Sequence, residues 1–182
     1  MKAMKKILAF ALAGVMALAL LTGCGTGSSA SHKSIAKAMA DYENGIDRKT
    51  TITYTSSAVL DSKLQQLAAK TEFENVVKGV YTNDSDLISA IRTYFSKNSA
   101  LSGNPALSNK VVYLYCGKYD KDAGKQALNL NAWGHYTHIS SNSSLADERK
   151  IGLITTSFTD TNGEKVKVRF AVVVSDIPTA TP

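Results

Sequence analysis

The stretch IGLITTSFTDTNGEKVKVRFAVVVS, residues 151–175, determines the expected fold. Asn162-Gly163 lies in its middle, and this pair readily adopts the positive backbone angles of a tight hairpin turn. Apolar and β-branched residues are frequent on both sides, which favours strands at 151–159 and 164–175. The stretch therefore predicts an antiparallel β-hairpin at the end of the domain.

Further strands are indicated upstream of this hairpin, at 110–116 and 133–140, where the apolar period approaches two. Tyr113 and Tyr115 alternate with apolar residues, so we expect both rings on one face of the first of these strands. Cys116 ends the apolar run. We expect it to be a small buried apolar residue rather than a nucleophile.

The first half of the chain instead shows apolar spacings of three and four residues, which are typical of helices. Helices first and strands last predict an α+β domain, with N-terminal helices packed on one face of a mostly antiparallel sheet formed largely by the C-terminal half. The expected elements are a short helix at 35–42, a strand at 48–55, a helix at 57–70, a kink or new element near 71, a helix capped by 83–86 with its apolar stripe at 87–95, and a loop at 99–109.

The N-terminus has the order of charges and apolar residues that is typical of an export signal. Lys2, Lys5 and Lys6 precede an apolar run at 7–21, which is short for a membrane span of about 20 residues. A glycine- and serine-rich stretch follows at once. We therefore expect residues 1–23 to be a cleaved signal peptide.

The last residues of this segment, Leu21-Thr22-Gly23-Cys24, resemble the lipobox of bacterial lipoproteins, whose cysteine receives a diacylglycerol. The resemblance implies lipidation of Cys24 and membrane lipid as a partner, since two acyl chains anchor a protein stably. It also implies export and anchoring to the cell membrane or outer membrane, facing outside the cytoplasm. The alternative is an ordinary secretory signal that is cleaved beside a cysteine.

The expected organisation is a lipidated cysteine and flexible tether at 24–34, a single domain at 35–177 and a tail at 178–182. Without the three signal lysines, 18 basic residues face 15 acidic ones. This mild excess is compatible with anionic lipid, an anionic cell-wall polymer or another envelope protein as partner. It lacks the concentrated basic surface of nucleic-acid-binding proteins, so we expect no nucleic acid.

Lys165, Lys167 and Arg169 alternate with apolar residues in the last predicted strand, which puts three cations on one face. Such a row is a candidate site for phosphates of lipid headgroups or wall polymers. The alternative is a solvated sheet face whose charges discourage edge-to-edge pairing.

His135 and His138 are further candidate ligand-binding residues. On a helix this spacing would place both rings on one side, where zinc binds, but on a strand it sends them to opposite faces. The neighbourhood favours a strand, and Asp147 and Glu148 would supply ligands only if the intervening loop folded back. We therefore expect no metal site.

The string Gly-His-Tyr-Thr-His-Ile at 134–139 resembles the Gly-His-Tyr-Thr-Gln signature of the CAP superfamily, the cysteine-rich secretory and pathogenesis-related proteins. The resemblance implies an α-β-α sandwich, with Ile151-Gly152 and the final hairpin in suitable places. Only His135 carries over from the family's pocket. His138 stands where the family has glutamine, and the second histidine has no counterpart, so the cation-binding cluster would be incomplete.

Catalytic motifs are missing from the sequence, which has neither a Gly-x-Ser-x-Gly elbow nor a glycine-rich phosphate loop. We therefore expect no catalytic residues and no cofactor, and a membrane-anchored binding or envelope-structural domain. A degenerate CAP-like domain is the alternative. A third hypothesis, an extracytoplasmic hydrolase, requires His135 or His138 to pair with Asp147, Glu148 or a serine.

Overall fold

The computed structural model describes residues 30–46, 50–70, 72–83, 110–131, 135–138 and 144–178, with only the backbone at 135–138. The predicted signal peptide at 1–23, Cys24, the capped helix predicted at 83–95 and the predicted loop at 99–109 lie outside this part, apart from residue 83. The described elements are α1 (His32–Asn44), β1 (Thr53–Ser56), α2 (Ala58–Ala68), α3 (Phe73–Thr82), β2 (Lys110–Lys118), α4 (Ala123–Asn131), β3 (His135–His138), β4 (Glu148–Thr159) and β5 (Lys165–Asp176).

The predicted hairpin is confirmed, since β4 and β5 pair in antiparallel register over their full length. Its turn is closed by the Asp160 amide, which donates to the Glu164 carbonyl at 2.9 Å. The carboxylate of Asp160 accepts the amides of Asn162 and Glu164, and Gly163 adopts a φ of 82°. Both the aspartate before the turn and the glycine within it therefore stabilise the connection.

The strands form one sheet in the order β1-β4-β5-β2-β3. β1 runs parallel to β4, whereas the other neighbours are antiparallel. The sheet is thus mostly antiparallel and built largely from the C-terminal half, with the N-terminal helices packed on it. This confirms the predicted α+β class.

Helices cover both faces of the sheet, so the expectation of one covered face is wrong. The physical reason lies in the central strands, because residues 111–117 of β2 are all buried and neither of its faces can be left in water. One face packs against α2 and α3, where Phe73 meets Phe170 at 5.3 Å between ring centroids and Cys116 is buried as predicted. The other packs against α1 and α4, and includes the stacked rings of Tyr113 and Tyr115.

α1 starts earlier than the sequence indicates. Its first residue is His32, and Ser31 caps it by accepting the Ser34 amide at 3.1 Å. The last three residues assigned to the tether, 32–34, are therefore helical. The N-cap satisfies an amide that the helix itself cannot pair.

At Gly152 and at Gly117 a helix packs closely against the sheet, one helix on each face. A Cβ at Gly152 would lie 2.4 Å from Leu60 Cβ of α2, and one at Gly117 would lie 2.3 Å from the Asn129 carbonyl oxygen of α4. Real side chains do not tolerate such distances, so both helices owe their positions to the absence of a Cβ.

We predict that Gly117→Ala and Gly152→Ala each lower the free energy of unfolding by about 1–3 kcal/mol, because a backbone must move to admit the methyl group. Gly124→Ala is the matched control, since a Cβ there meets only an Asp122 side-chain oxygen at 3.4 Å. Alanine also favours a helix over glycine by roughly 1 kcal/mol, so this variant should lose no stability. Urea unfolding measures all three, and equal effects would contradict the close helix approach.

Candidate functional site

The predicted row of cations lies on the sheet face that α1 and α4 cover. Lys165, Lys167 and Arg169 occupy alternate positions of β5, and Ala171 and Val173 continue the same face into the core. Lys165 and Lys167 are exposed, but Arg169 is only 4% exposed. The interpretation as a solvated face therefore fits the two lysines and is wrong for Arg169.

Tyr119, just after β2, joins two of these cations. Its amide donates to the Lys167 carbonyl at 3.1 Å. The centroid of its ring lies 3.9 Å from Lys167 Nζ and 5.2 Å from Arg169 Cζ, both within the range of a cation–π contact. We call Tyr119, Lys167 and Arg169 the Arg169 cluster.

Arg169 lacks the partners that a buried guanidinium normally has. Its Nε is buried without a hydrogen-bond partner, and no carboxylate of the described residues forms an ion pair with it. Burial lowers the pKa of Arg169, while Tyr119 and the charge of Asp61 act in the opposite direction. Because guanidinium stays protonated in proteins, a positive charge is buried here with incomplete compensation, which costs free energy.

Asp61, the carboxylate whose charge reaches Arg169, uses one oxygen for each of two other contacts. Its Oδ2 is hydrogen-bonded to His32 Nδ1 at 2.8 Å, and its Oδ1 accepts the Leu153 amide at 2.7 Å. Leu153 pairs with Ala171, two residues from Arg169 on the neighbouring strand. The start of α1, the first turns of α2 and β4 therefore meet beside the guanidinium.

The start of α4 lies at the same end of the sheet. The Ala30 amide, immediately before α1, donates to the Lys121 carbonyl at 2.8 Å, which brings the N-termini of α1 and α4 together. A helix N-terminus carries amides without intrahelical partners and favours negative charge. The nearby carboxylates of Asp120 and Asp122 each accept a backbone amide at 2.8 Å, those of Asp122 and Lys125 respectively.

His135 and His138 form the ends of β3, opposite Cys116 and Tyr113 of β2. Cys116 belongs to the face of α2 and α3, and Tyr113 to the face of α1 and α4. Where side chains are described, no group of three or more His, Cys, Asp or Glu residues is placed to hold a metal ion. The role of the two histidines in binding stays a prediction.

A second polar cluster, formed by Glu43, Tyr54 and Arg149, is buried toward the opposite end of the same face. Arg149 Nη1 donates to Glu43 Oε2 at 2.8 Å and to the Tyr54 hydroxyl at 2.7 Å, and its Nε donates to the Ala146 carbonyl. The Tyr54 hydroxyl donates to Glu43 Oε1 at 2.5 Å. Burial acts to lower the pKa of Arg149, but Tyr54 and Glu43 outweigh it and the pKa is raised. This arginine is paired within the protein, in contrast to Arg169.

Sequence reasoning identified Lys167 and Arg169 but not the residues around them. It placed His32 in the tether and gave Asp61 no role. The contacts of Asp61 join residues 29 and 92 positions apart in the chain, so no local pattern marks them. For Tyr119 the signal was its position at the end of an aromatic strand.

No family model, curated protein or solved structure matches the chain. In the part of the chain that the structure describes, no helix is long and apolar enough to cross a membrane. Gly134 and Ile139 of the CAP-like string lie outside that part, and the resemblance stays a prediction.

We predict that Glu43→Gln lowers the free energy of unfolding by about 3–5 kcal/mol, because it leaves the charge of Arg149 buried and without its counter-ion. Asp41→Asn, on the same helix, is the control. It removes an exposed ion pair with Lys37, in which Nζ and Oδ2 are 2.6 Å apart, and should cost less than about 1 kcal/mol. If urea unfolding showed that Glu43→Gln costs as little free energy of unfolding as Asp41→Asn, the buried network would not stabilise the fold.

Alkaline pH should destabilise the domain through two buried tyrosines. Burial raises the pKa of Tyr54 and of Tyr115 above the ordinary value of about 10, and the charge of Glu43 acts in the same direction. The unfolded chain therefore loses these protons first, and stability that is complete below pH 10 is lost above it, by roughly 1.4 kcal/mol per pH unit for each tyrosine.

Urea unfolding at a series of pH values from neutral to strongly alkaline measures this slope. Tyr115→Phe, which has no proton to lose, should decline less steeply than the wild type above pH 10. Parallel curves would contradict the assignment to Tyr115.

Proposed function

We propose that the protein is an extracytoplasmic lipoprotein, held to the membrane by a diacylglycerol on Cys24, whose domain is non-catalytic and binds an anionic ligand of the envelope. The observation that carries this proposal is the hydrogen bond from the Ala30 amide to the Lys121 carbonyl, at 2.8 Å. It places the start of the domain at the end of the sheet where Lys165, Lys167 and Arg169 lie.

The covalent chain limits how far this end can stand from the membrane. Six residue steps lead from Cys24 to Ala30, and an extended chain advances at most about 3.3–3.6 Å per residue, or roughly 20 Å in all. Ala30, whose amide is bonded to the Lys121 carbonyl beside the Arg169 cluster, therefore lies at most about 20 Å from Cys24. Basic side chains close to an anionic surface contribute about 1 kcal/mol each, which supports an orientation with this end toward the membrane.

The side chains of this end support binding rather than catalysis. His32 is the histidine beside the cluster, and its Nδ1 is hydrogen-bonded to Asp61 at 2.8 Å. Nucleophilic catalysis would further need a hydroxyl or thiol in hydrogen-bond distance of His32 Nε2, and the described residues supply none. Two cations beside an aromatic ring suit an anion that is held and not cleaved.

Intact mass and membrane fractionation after expression in a bacterium test the anchor. We expect the wild type to start at Cys24, to carry the added lipid mass and to fractionate with membranes. Cys24→Ala should keep residues 1–23 and lack the lipid mass. Cys116→Ala is the control, since it removes the buried cysteine and should leave lipidation intact. A wild-type chain that is unprocessed or freely soluble would overturn the proposal.

A further inference from the structure

We infer that Arg169, together with Lys167, is the receptor for a phosphate group of the phosphodiester kind that lipid headgroups and phosphate-linked wall polymers share. This inference names the class of ligand that the proposed site binds. It rests on the proposed function for the location of that ligand in the cell envelope.

The two buried arginines of this face provide an internal comparison. Arg149 is 6% exposed and Arg169 is 4% exposed, so both side chains are largely removed from bulk water. Arg149 is hydrogen-bonded to a carboxylate, a hydroxyl and a carbonyl. Arg169 Nε has no partner, and its described contacts are the Tyr119 ring and the more distant charge of Asp61. Burial of an unpaired charge is costly, and an anion bound from outside would offset that cost.

The protein's own carboxylate is held back from Arg169. One oxygen of Asp61 is hydrogen-bonded to His32 and the other accepts the Leu153 amide, at 2.8 and 2.7 Å respectively. With these two contacts in place, Asp61 forms no ion pair with Arg169. This leaves the fork of donors on Arg169 for a ligand.

The arrangement of cations favours phosphate over a carboxylate. Lys167 and Arg169 alternate on one face of β5 and both lie against the ring of Tyr119, so we infer that one anion meets both cations. A carboxylate has its two oxygens in one plane and close together, and a bidentate contact with a guanidinium directs both of them toward the arginine. A phosphodiester carries its two non-bridging oxygens on a tetrahedral centre, so that one can accept from the guanidinium fork of Arg169 while the other faces the ammonium of Lys167.

Calorimetric titration of the mature lipoprotein in neutral detergent tests this inference. The probes are glycerophosphoglycerol, which is a soluble phosphodiester, inorganic phosphate, and acetate as the carboxylate comparison. We expect one saturable site for the two phosphates, weakened by added salt, and binding of acetate weaker by about tenfold or more. Acetate that binds as tightly as the phosphodiester would overturn the assignment of phosphate.

Substitutions of Arg169 separate a receptor from a structural residue. Arg169→Met keeps the apolar stem and removes the donors, and should weaken phosphodiester binding by about tenfold or more while leaving the ligand-free melting temperature unchanged or higher. Arg169→Lys keeps the charge without the fork and should be intermediate. Lys150→Gln, on an exposed residue at the other end of β4, removes an equal charge and should bind like the wild type.

Two further outcomes have defined meanings. The receptor role would be overturned if the wild type and Arg169→Met bound with equal affinity. It would also be overturned if Arg169→Met kept its affinity while its melting temperature fell steeply.

Transfer of the lipoprotein from detergent into phospholipid nanodiscs distinguishes the two sources of the phosphodiester. If lipid headgroups fill the site, the soluble phosphodiester no longer binds in nanodiscs. If a wall polymer is the natural ligand, the soluble phosphodiester still binds in nanodiscs. Both results support a phosphodiester site.

The two proposals fail separately. A chain without lipid that still binds the phosphodiester through Arg169 would overturn only the anchor. A lipidated, membrane-bound chain that binds no phosphodiester would overturn only this inference.

Discussion

The burial of the central strands on both sides is the constraint on which the rest of the structure depends. Residues 168–175 of β5 are buried without interruption, and 111–117 of the neighbouring β2 likewise. Such strands need cover on both faces, which α2 with α3 and α1 with α4 provide. Gly152 and Gly117 set how closely two of these helices approach. Because α1 and α4 share one face, their N-termini lie together, and β5 brings Arg169 to the same end.

The parts of the fold that depend on local chemistry could be predicted from the sequence. Asn162-Gly163 fixes a hairpin through its own backbone preferences, and the phase change after α2 is visible in the spacing of apolar residues. α4 was missed because it buries a polar residue, Gln126, whose side chain bonds the backbone of Asp120 and Lys118. Its apolar period is therefore incomplete, and without α4 the second layer of helices could not be expected.

The sequence predicted only one property of the candidate site, the alternation of its basic residues along β5. Period two placed Lys167 and Arg169 on one face, which is a property of the strand alone. Their different burial follows from Tyr119 and from the covering helices, which are far away in the chain. Arg149 and Arg169 look alike in the sequence, one in each strand of the hairpin. They differ in their tertiary contacts. Glu43 forms an ion pair with Arg149, whereas Asp61 is bonded to the Leu153 amide and forms no ion pair with Arg169.

Asp61 has a further consequence at the edge of the sheet. β1 pairs with β4 only up to Ile151, and beyond that point the outward amide of Leu153 is already occupied by the Asp61 carboxylate. The amide of Thr159 is occupied in the same way by Glu74, at 2.8 Å. An open strand edge would be a template for aggregation between copies of the chain. Lipoproteins are concentrated in two dimensions, and a chain anchored as proposed here would meet its own copies often. Two carboxylates on this edge occupy two of its donors and would repel an incoming strand, so that an anchored domain would be protected from edge-to-edge pairing where its copies are most concentrated.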